Sequence, residues 1–137
     1  MKVNVRELRA LFIQFFKFGL IGVIGFLVDY GMLHFGLDVL GLGRYGSAIF
    51  SFPFAVTATW IGNRVFTFKG LSSQPAHHEW ARFLAVCAGG FVLNRGAYAL
   101  LIANVPLAYA YPVLGLVAGT AAGMFFNFFV ARRFVFR

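Results

Sequence analysis

The sequence contains two similar halves. A pattern in the first half returns 65 positions later, where Lys17-Phe18, Gly25-Phe26, Asp29 and Gly31 are answered by Arg82-Phe83, Gly90-Phe91, Asn94 and Gly96. The ends of the halves also match, because residues 63–68 resemble residues 131–136. In an apolar chain, such a duplication is typical of membrane proteins built from repeated hairpins, a common transporter construction. We therefore expect a single domain over residues 1–137, with repeats at about 15–68 and 80–137.

The composition places this chain in a lipid bilayer. Hydrophobic residues make up 61% of it and charged residues 12%, so polar side chains are too few to cover a water-soluble globule. Four apolar stretches reach the roughly 20 residues that a spanning helix needs, at about 15–37, 48–68, 83–103 and 111–131. They lack the period of two that β-barrel strands show. The sequence predicts an all-α, polytopic membrane protein with four transmembrane helices arranged as two tandem repeated hairpins.

Residues 1–14 carry an amphipathic pattern. Basic residues are interleaved with apolar residues at helical spacing, namely Val5, Leu8 and Phe12. This pattern predicts an interfacial helix that leads into a retained first span, rather than a cleaved signal peptide.

The basic residues predict the orientation in the membrane. Ten of the twelve fall at one set of span ends: Lys2, Arg6, Arg9, Lys17, Arg64, Lys69, Arg82, Arg132, Arg133 and Arg137. By the positive-inside rule, both termini and the middle loop are cytoplasmic and residues 104–110 lie outside. Because these residues flank spans, the expected partners are anionic membrane lipids and not nucleic acid.

Small residues in the last span indicate close helix packing. Gly115, Gly119, Gly123 and Asn127 follow one another at intervals of four, so they form a stripe along one helix face. Such stripes let two backbones approach closely in lipid. We expect another helix of the bundle to lie against this stripe.

Two charged residues are predicted at the same depth inside the membrane. Asp29 and Arg95 each lie about 18–20 Å along their helices from a basic residue at the membrane boundary. A lone charge there is costly, so we expect the two to pair across spans 1 and 3. Asn63, Asn94 and Asn127 add neutral polar groups. The interpretations are a buried ion pair that fixes helix register, and a polar cavity that meets substrate.

No catalytic or metal-binding pattern is present in the sequence. The four carboxylates are dispersed, and neither a phosphate-binding glycine loop nor a nucleophile elbow occurs. Adjacent side chains such as His77, His78 and Glu79 do not converge on one ion, and Cys87 is the only cysteine. We expect a protein that is not an enzyme and has no cofactor or metal.

Three motifs resemble the GtrA-like family of small four-helix membrane proteins. They are residues 16–30, with glycines at 19, 22 and 25 and Asp29; the Asn63-Arg64-aromatic ending at 63–68; and Asn127 with residues 133–136. Phe66 and Phe134 stand where the family often has Trp. The similarity covers essentially the whole chain.

The resemblance implies a function in cell-surface polysaccharide synthesis or modification. Family members are thought to flip a polyprenyl-phosphate-linked sugar across the inner (plasma) membrane, beside glycosyltransferases. Asp29, Asn94 and Arg95 could then hydrogen-bond sugar hydroxyls at mid-depth. Four spans can hardly enclose a path for a hydrated sugar, so a homo-oligomer is expected unless the sugar follows a groove open to lipid.

Four cations are candidates for binding the lipid phosphate. Arg64 and Arg132 occupy equivalent places in the repeats, with Lys17 and Arg82 at the same level. Guanidinium groups bind phosphate in a bidentate manner. The alternative is that all four are topology anchors.

Two other functions are compatible with the sequence. One is an accessory protein that recruits or orients a membrane glycosyltransferase and transports nothing. The other is a small multidrug exporter that uses Asp29 for proton coupling, although the duplicated pattern and Arg95 disfavour it.

Overall fold

The computed structural model describes residues 4–137, which form helices and short turns without any strand. In chain order the helices are α1 (Val5–Asp38), α2 (Gly43–Gly62), α3 (Ala76–Asn104), α4 (Pro106–Ala110) and α5 (Pro112–Val130). Two of them continue into a single π-helical turn, α2 into π1 (Asn63–Thr67) and α5 into π2 (Ala131–Val135). The predicted all-α fold is confirmed.

Three long helices are both long and apolar enough to cross a membrane: α1, α3 and α5 together with π2. The fourth, α2, has 20 residues and packs along α1. Two serines, two threonines and Pro53 lower the hydropathy of α2. The four long helices are compatible with the four spans that the sequence predicts, three of which have the length and hydropathy of a membrane span.

α1 is one continuous helix of 34 residues, which makes it about 51 Å long. It begins after Asn4, whose side chain accepts a hydrogen bond from the backbone of Arg6 at 3.1 Å. The sequence predicts a separate interfacial helix for residues 1–14. In the structure, residues 5–14 continue into the span without a break, and residues 1–3 lie outside the described part. A hydrocarbon core about 30 Å thick cannot cover the whole of α1.

α1 and α2 form the first hairpin. Their connecting turn uses Gly41 and Gly43 at φ values of 64° and 73°, a left-handed conformation that favours glycine. Gly25 allows the helices to approach, because a Cβ there would collide with the Thr59 methyl group.

α3 and α5 form the second hairpin, with α4 in the connection between them. The glycine stripe of α5 faces α3, with Gly115 against Tyr98, Gly119 against Asn94, and Gly123 against Gly90. A Cβ on Gly119 would lie 2.5 Å from the Asn94 carbonyl oxygen. The predicted close packing of a helix on this stripe is confirmed.

A phenylalanine cluster joins the two hairpins. Phe68 and Phe136, which follow the two π turns, stack with ring centroids 4.7 Å apart. The ring centroid of Phe18 in α1 lies 6.3 Å from that of Phe68, and the ring centroid of Phe83 in α3 lies 5.8 Å from that of Phe136. Because Phe18 and Phe83 are equivalent in the repeats, as are Phe68 and Phe136, a local two-fold relates the hairpins at this cluster. Parallel repeats of this kind have an axis along the membrane normal.

The start of α1, the middle loop and the C-terminus lie at one end of the bundle. Ser73 in the middle loop donates to the carbonyl oxygen of Arg137 from its hydroxyl, at 3.0 Å. Arg132 of π2 donates to Gln14 of α1, also at 3.0 Å. We call this end, formed by residues 5–17, 63–83 and 131–137, the basic end. Its assignment to the cytoplasm stays a prediction of the positive-inside rule.

Candidate functional site

The π turns place one arginine from each repeat at the basic end. Arg64 is the second residue of π1, and Arg132 is the second residue of π2. Each turn is closed by a backbone hydrogen bond, of 2.8 Å in π1 and 3.0 Å in π2. The two arginines thus have equivalent backbone positions.

Arg64 is neutralised within the protein by Glu79. Its Nη1 lies 3.2 Å from Glu79 Oε1; the Glu79 side chain is fully buried, and that of Arg64 is 32% exposed. Trp60 Nε1 donates to the same oxygen at 2.9 Å, and the Ser72 hydroxyl donates to the other oxygen. Three donors therefore satisfy the buried carboxylate, as burial of a charge requires. The network fixes the middle loop and α3 against α2.

The sequence pattern does not predict this role for Glu79. It places the residue in a cytoplasmic flank, beside the exposed His77 and His78. One feature of the sequence does indicate such a role. Glu79 is the only acidic residue after Asp38, so it is the only carboxylate side chain in that part of the sequence that can pair with an arginine.

Arg132 and Arg133 line an open groove of about 460 Å³ at the basic end, together with Leu71 and Phe129. Both arginines are exposed. Arg132 Nε donates to Gln14 Oε1, which is an uncharged partner. The carboxylates of residues 4–137 that form ion pairs do so elsewhere. Two unneutralised guanidinium groups beside an apolar wall can bind a phosphate that carries an apolar chain.

The other two predicted cations contact the residues of the π turns. Lys17 Nζ lies 4.8 Å from the centroid of the Phe66 ring, a cation–π distance. Arg82 donates to Gln74 Oε1 at 2.7 Å and to the carbonyl oxygen of Phe134 at 3.4 Å. The four cations therefore share one end of the bundle but have four different partners, and of the four only Arg132 lines the groove.

Asp29 and Arg95 do not pair, so the predicted ion pair is wrong. Asp29 Oδ1 accepts a hydrogen bond from the Ser51 hydroxyl at 2.7 Å, across the first hairpin. Arg95 is exposed on α3, with its guanidinium 5.5 Å from the centroid of the Phe91 ring. No Cα atom of α1 lies within 8 Å of a Cα atom of α3. Each residue of an α-helix is rotated by about 100° from the one before, so an equal depth does not imply a common direction.

The three asparagines have contacts within the protein. Asn63 is buried, and its side-chain oxygen accepts from the threonine that ends π1, at 2.7 Å. Asn94 lies against Gly119 and Asn127 lies against Gly90, both between α3 and α5. Asn127 Oδ1 is buried and has no hydrogen-bond partner among residues 4–137. The Asn94 and Asn127 amides therefore belong to the interface between α3 and α5, whereas the Asn63 amide is held within π1.

A family model described as GtrA/DPMS, transmembrane domain, matches residues 17–136. The chain belongs to this family. The match covers both hairpins and both π turns, and it confirms the resemblance that the motifs indicate. None of the curated proteins compared with the chain matches it.

GtrA membership associates this multi-pass membrane protein with membrane glycosyl-lipid processes. Proteins of the family are generally small and non-catalytic. The matched range includes all four residues of the groove at the basic end. This groove is therefore the candidate functional site that the GtrA domain itself provides.

Proposed function

We propose that this GtrA-family protein translocates a polyprenyl-phosphate-linked sugar across the inner membrane, for synthesis or modification of cell-surface polysaccharide. The observation that carries the proposal is the groove of Arg132, Arg133, Leu71 and Phe129. Its charge suits a phosphate, while its leucine and phenylalanine suit the first units of a prenyl chain. Lipids of this class combine those two chemistries in one molecule.

The charge difference between the two ends gives the proposed transport its starting leaflet. A second groove, of about 270 Å³, lies at the opposite end and is lined by the uncharged residues Ile102, Ala103, Asn104, Val105, Pro106 and Tyr109. A phosphate therefore binds more strongly at the basic end. If that end is cytoplasmic, as the positive-inside rule predicts, substrate loads there and leaves at the uncharged side.

We assign substrate contacts by exposure. Arg82 and Arg132 at headgroup level and Arg95 at mid-depth are exposed, so they meet substrate directly. Lys17 at headgroup level, and Asp29 and Asn94 at mid-depth, are half-buried. Asp29 and Asn94 reach sugar hydroxyls only when their contacts with Ser51 and Gly119 open. The remaining sequence candidates, Asn63, Arg64 and Asn127, are held by protein contacts. Contact between these three and substrate requires those internal contacts to open.

The competing function is a non-transporting accessory protein that recruits or orients a glycosyltransferase. The exposed Arg95 on α3 favours it, because charged side chains at membrane depth usually face protein or water and not lipid. The same observation favours a homo-oligomer, in which a second copy covers α3. Anionic lipids are expected partners of the basic end in either case.

The test is transport by the purified protein alone. Proteoliposomes should take up a short-chain, water-soluble polyprenyl-phosphate hexose faster than protein-free liposomes do. Arg132→Gln combined with Arg133→Gln should reduce the rate at least tenfold, since charge-assisted hydrogen bonds contribute about 1.5–3 kcal/mol each.

Arg6→Gln combined with Arg9→Gln is the control matched in charge. Both arginines are exposed on α1 and lie outside the groove, so their loss should leave the rate unchanged. No uptake by correctly folded wild-type protein, together with retained binding of a glycosyltransferase, would contradict transport and support the accessory function.

A further inference from the structure

The two repeats build the same arginine position but give the arginine different partners. Arg64 of π1 reaches across to α3, where it meets Glu79. Arg132 of π2 reaches across to α1, where it meets Gln14. Glu79 follows Gln14 by 65 positions, which is the spacing of the repeat. The two contacts are therefore related by the local two-fold axis.

The two acceptor side chains differ in one group, since Glu79 has a carboxylate where Gln14 has an amide. This difference decides whether the neighbouring arginine keeps an uncompensated positive charge. In the first repeat, a carboxylate lies 3.2 Å from the guanidinium and cancels it. In the second repeat, an amide lies 3.0 Å from the guanidinium and leaves its charge in place.

A second sequence difference between the repeats increases this asymmetry in charge. The residue after Arg132 is Arg133, whereas the residue after Arg64 is Val65. The first position thus has no net charge and the second has two positive charges. The groove lies beside the second position, while the first is closed by Ser72 and by Trp60.

We propose that Glu79 occupies the anion site of the first repeat as a built-in substitute for a phosphate, so that each chain keeps one phosphate-binding site, formed by Gln14, Arg132 and Arg133. The carboxylate of Glu79 accepts hydrogen bonds from the same donors that a phosphate oxygen would use. This inference deepens the proposed function and rests on it only for the choice of a polyprenyl phosphate as ligand. Gln14 acts as a selectivity residue, because a carboxylate there would close the second site as well.

The experiment converts each acceptor into the other type in a separate variant, Gln14→Glu and Glu79→Gln. Purified full-length protein in detergent is titrated with polyprenyl phosphate, and bound lipids are counted by native mass spectrometry. The wild-type chain should bind one lipid. Gln14→Glu should weaken binding at least tenfold, because it places a carboxylate against Arg132. Glu79→Gln should add a second, weaker site at Arg64.

Two controls match these substitutions in charge. Asn4→Asp adds an exposed carboxylate outside both grooves and keeps the acceptor for the Arg6 backbone, and Glu7→Gln removes an exposed carboxylate from the first turn of α1. Neither should change affinity or stoichiometry. Polyprenol without phosphate should fail to bind. Competition with inorganic phosphate separates a site for the free anion, which would be emptied, from a site that also needs the prenyl chain, which would not.

Unchanged affinity in Gln14→Glu would overturn the proposal, as would two equivalent lipids on the wild-type chain. A folded Glu79→Gln protein that still binds one lipid would do the same. If Glu79→Gln fails to fold, Gln14→Glu decides alone, since its side chain is only half-buried. Binding at one site without uptake by proteoliposomes would reject transport and leave the asymmetric site intact. Uptake that Gln14→Glu does not alter would reject the site and leave transport intact.

Discussion

Adding one methyl group to Gly119 should separate α3 from α5. An ideal Cβ on Gly119 lies 2.5 Å from the Asn94 carbonyl oxygen and 2.8 Å from its side-chain oxygen. Relaxed C···O contacts need about 3.3 Å, so the helices must move apart by about 0.8 Å. The first of these oxygens belongs to the backbone, which cannot turn away as a flexible side chain can.

The expected magnitude follows from two opposing effects. Overpacking of a close interface costs about 1–3 kcal/mol, while replacing a helical glycine with alanine gains about 0.5–1 kcal/mol. Gly119→Ala should therefore destabilise the protein by about 1–2 kcal/mol. Gly96→Ala is the matched control in the same hairpin, because a Cβ there meets nothing within 4 Å, and it should be neutral or stabilising.

The assay is unfolding of purified protein by SDS in mixed micelles, followed by far-UV circular dichroism. The free energy of unfolding of Gly119→Ala should fall about 2 kcal/mol below that of Gly96→Ala. Equal stability of the two variants would refute the idea that the glycine stripe sets the helix distance.

Three further predictions concern topology and polar contacts. In a chain whose native cysteine is replaced with serine, a cysteine at Ser73 should resist an impermeant thiol reagent in intact cells and one at Val105 should react; the opposite labelling would reverse the orientation. Asp29→Asn and Ser51→Ala should couple by about 1 kcal/mol in a double-mutant cycle of unfolding free energies, and additive effects would contradict the hydrogen bond. Glu79→Ala should lower the unfolding free energy by about 3 kcal/mol, since it leaves a partly buried arginine without its counter-charge, whereas a loss under about 1 kcal/mol would contradict the network.

The fold could be predicted because the repeat and the hydropathy pattern can both be read from the order of the residues alone. Duplicated motifs indicate duplicated hairpins, and apolar stretches of spanning length indicate the helices. The glycine stripe of α5 also predicted the packing of α5, since small residues at intervals of four let two helix backbones approach closely in lipid. The two π turns were not predictable in the same way, because nothing in local hydropathy separates a π turn from the α-helix it extends.

The contacts of the charged residues were less predictable, because sequence spacing gives depth more readily than direction. Arg95 is equivalent to Tyr30 in the repeat and not to Asp29, so the expected pair was offset by one residue and about 100° of rotation. Glu79 was missed for a related reason. Its burial depends on Ser72, Trp60 and Arg64, which come from a loop, a helix and a π turn that only the fold brings together.

The phosphate site is tested most directly by a structure of the protein with polyprenyl phosphate bound. We expect one phosphate per chain within hydrogen-bond distance of Arg132, with the prenyl chain along Leu71 and Phe129 and with Glu79 still bound to Arg64. A phosphate seated on Arg64, or one on each arginine, would contradict it.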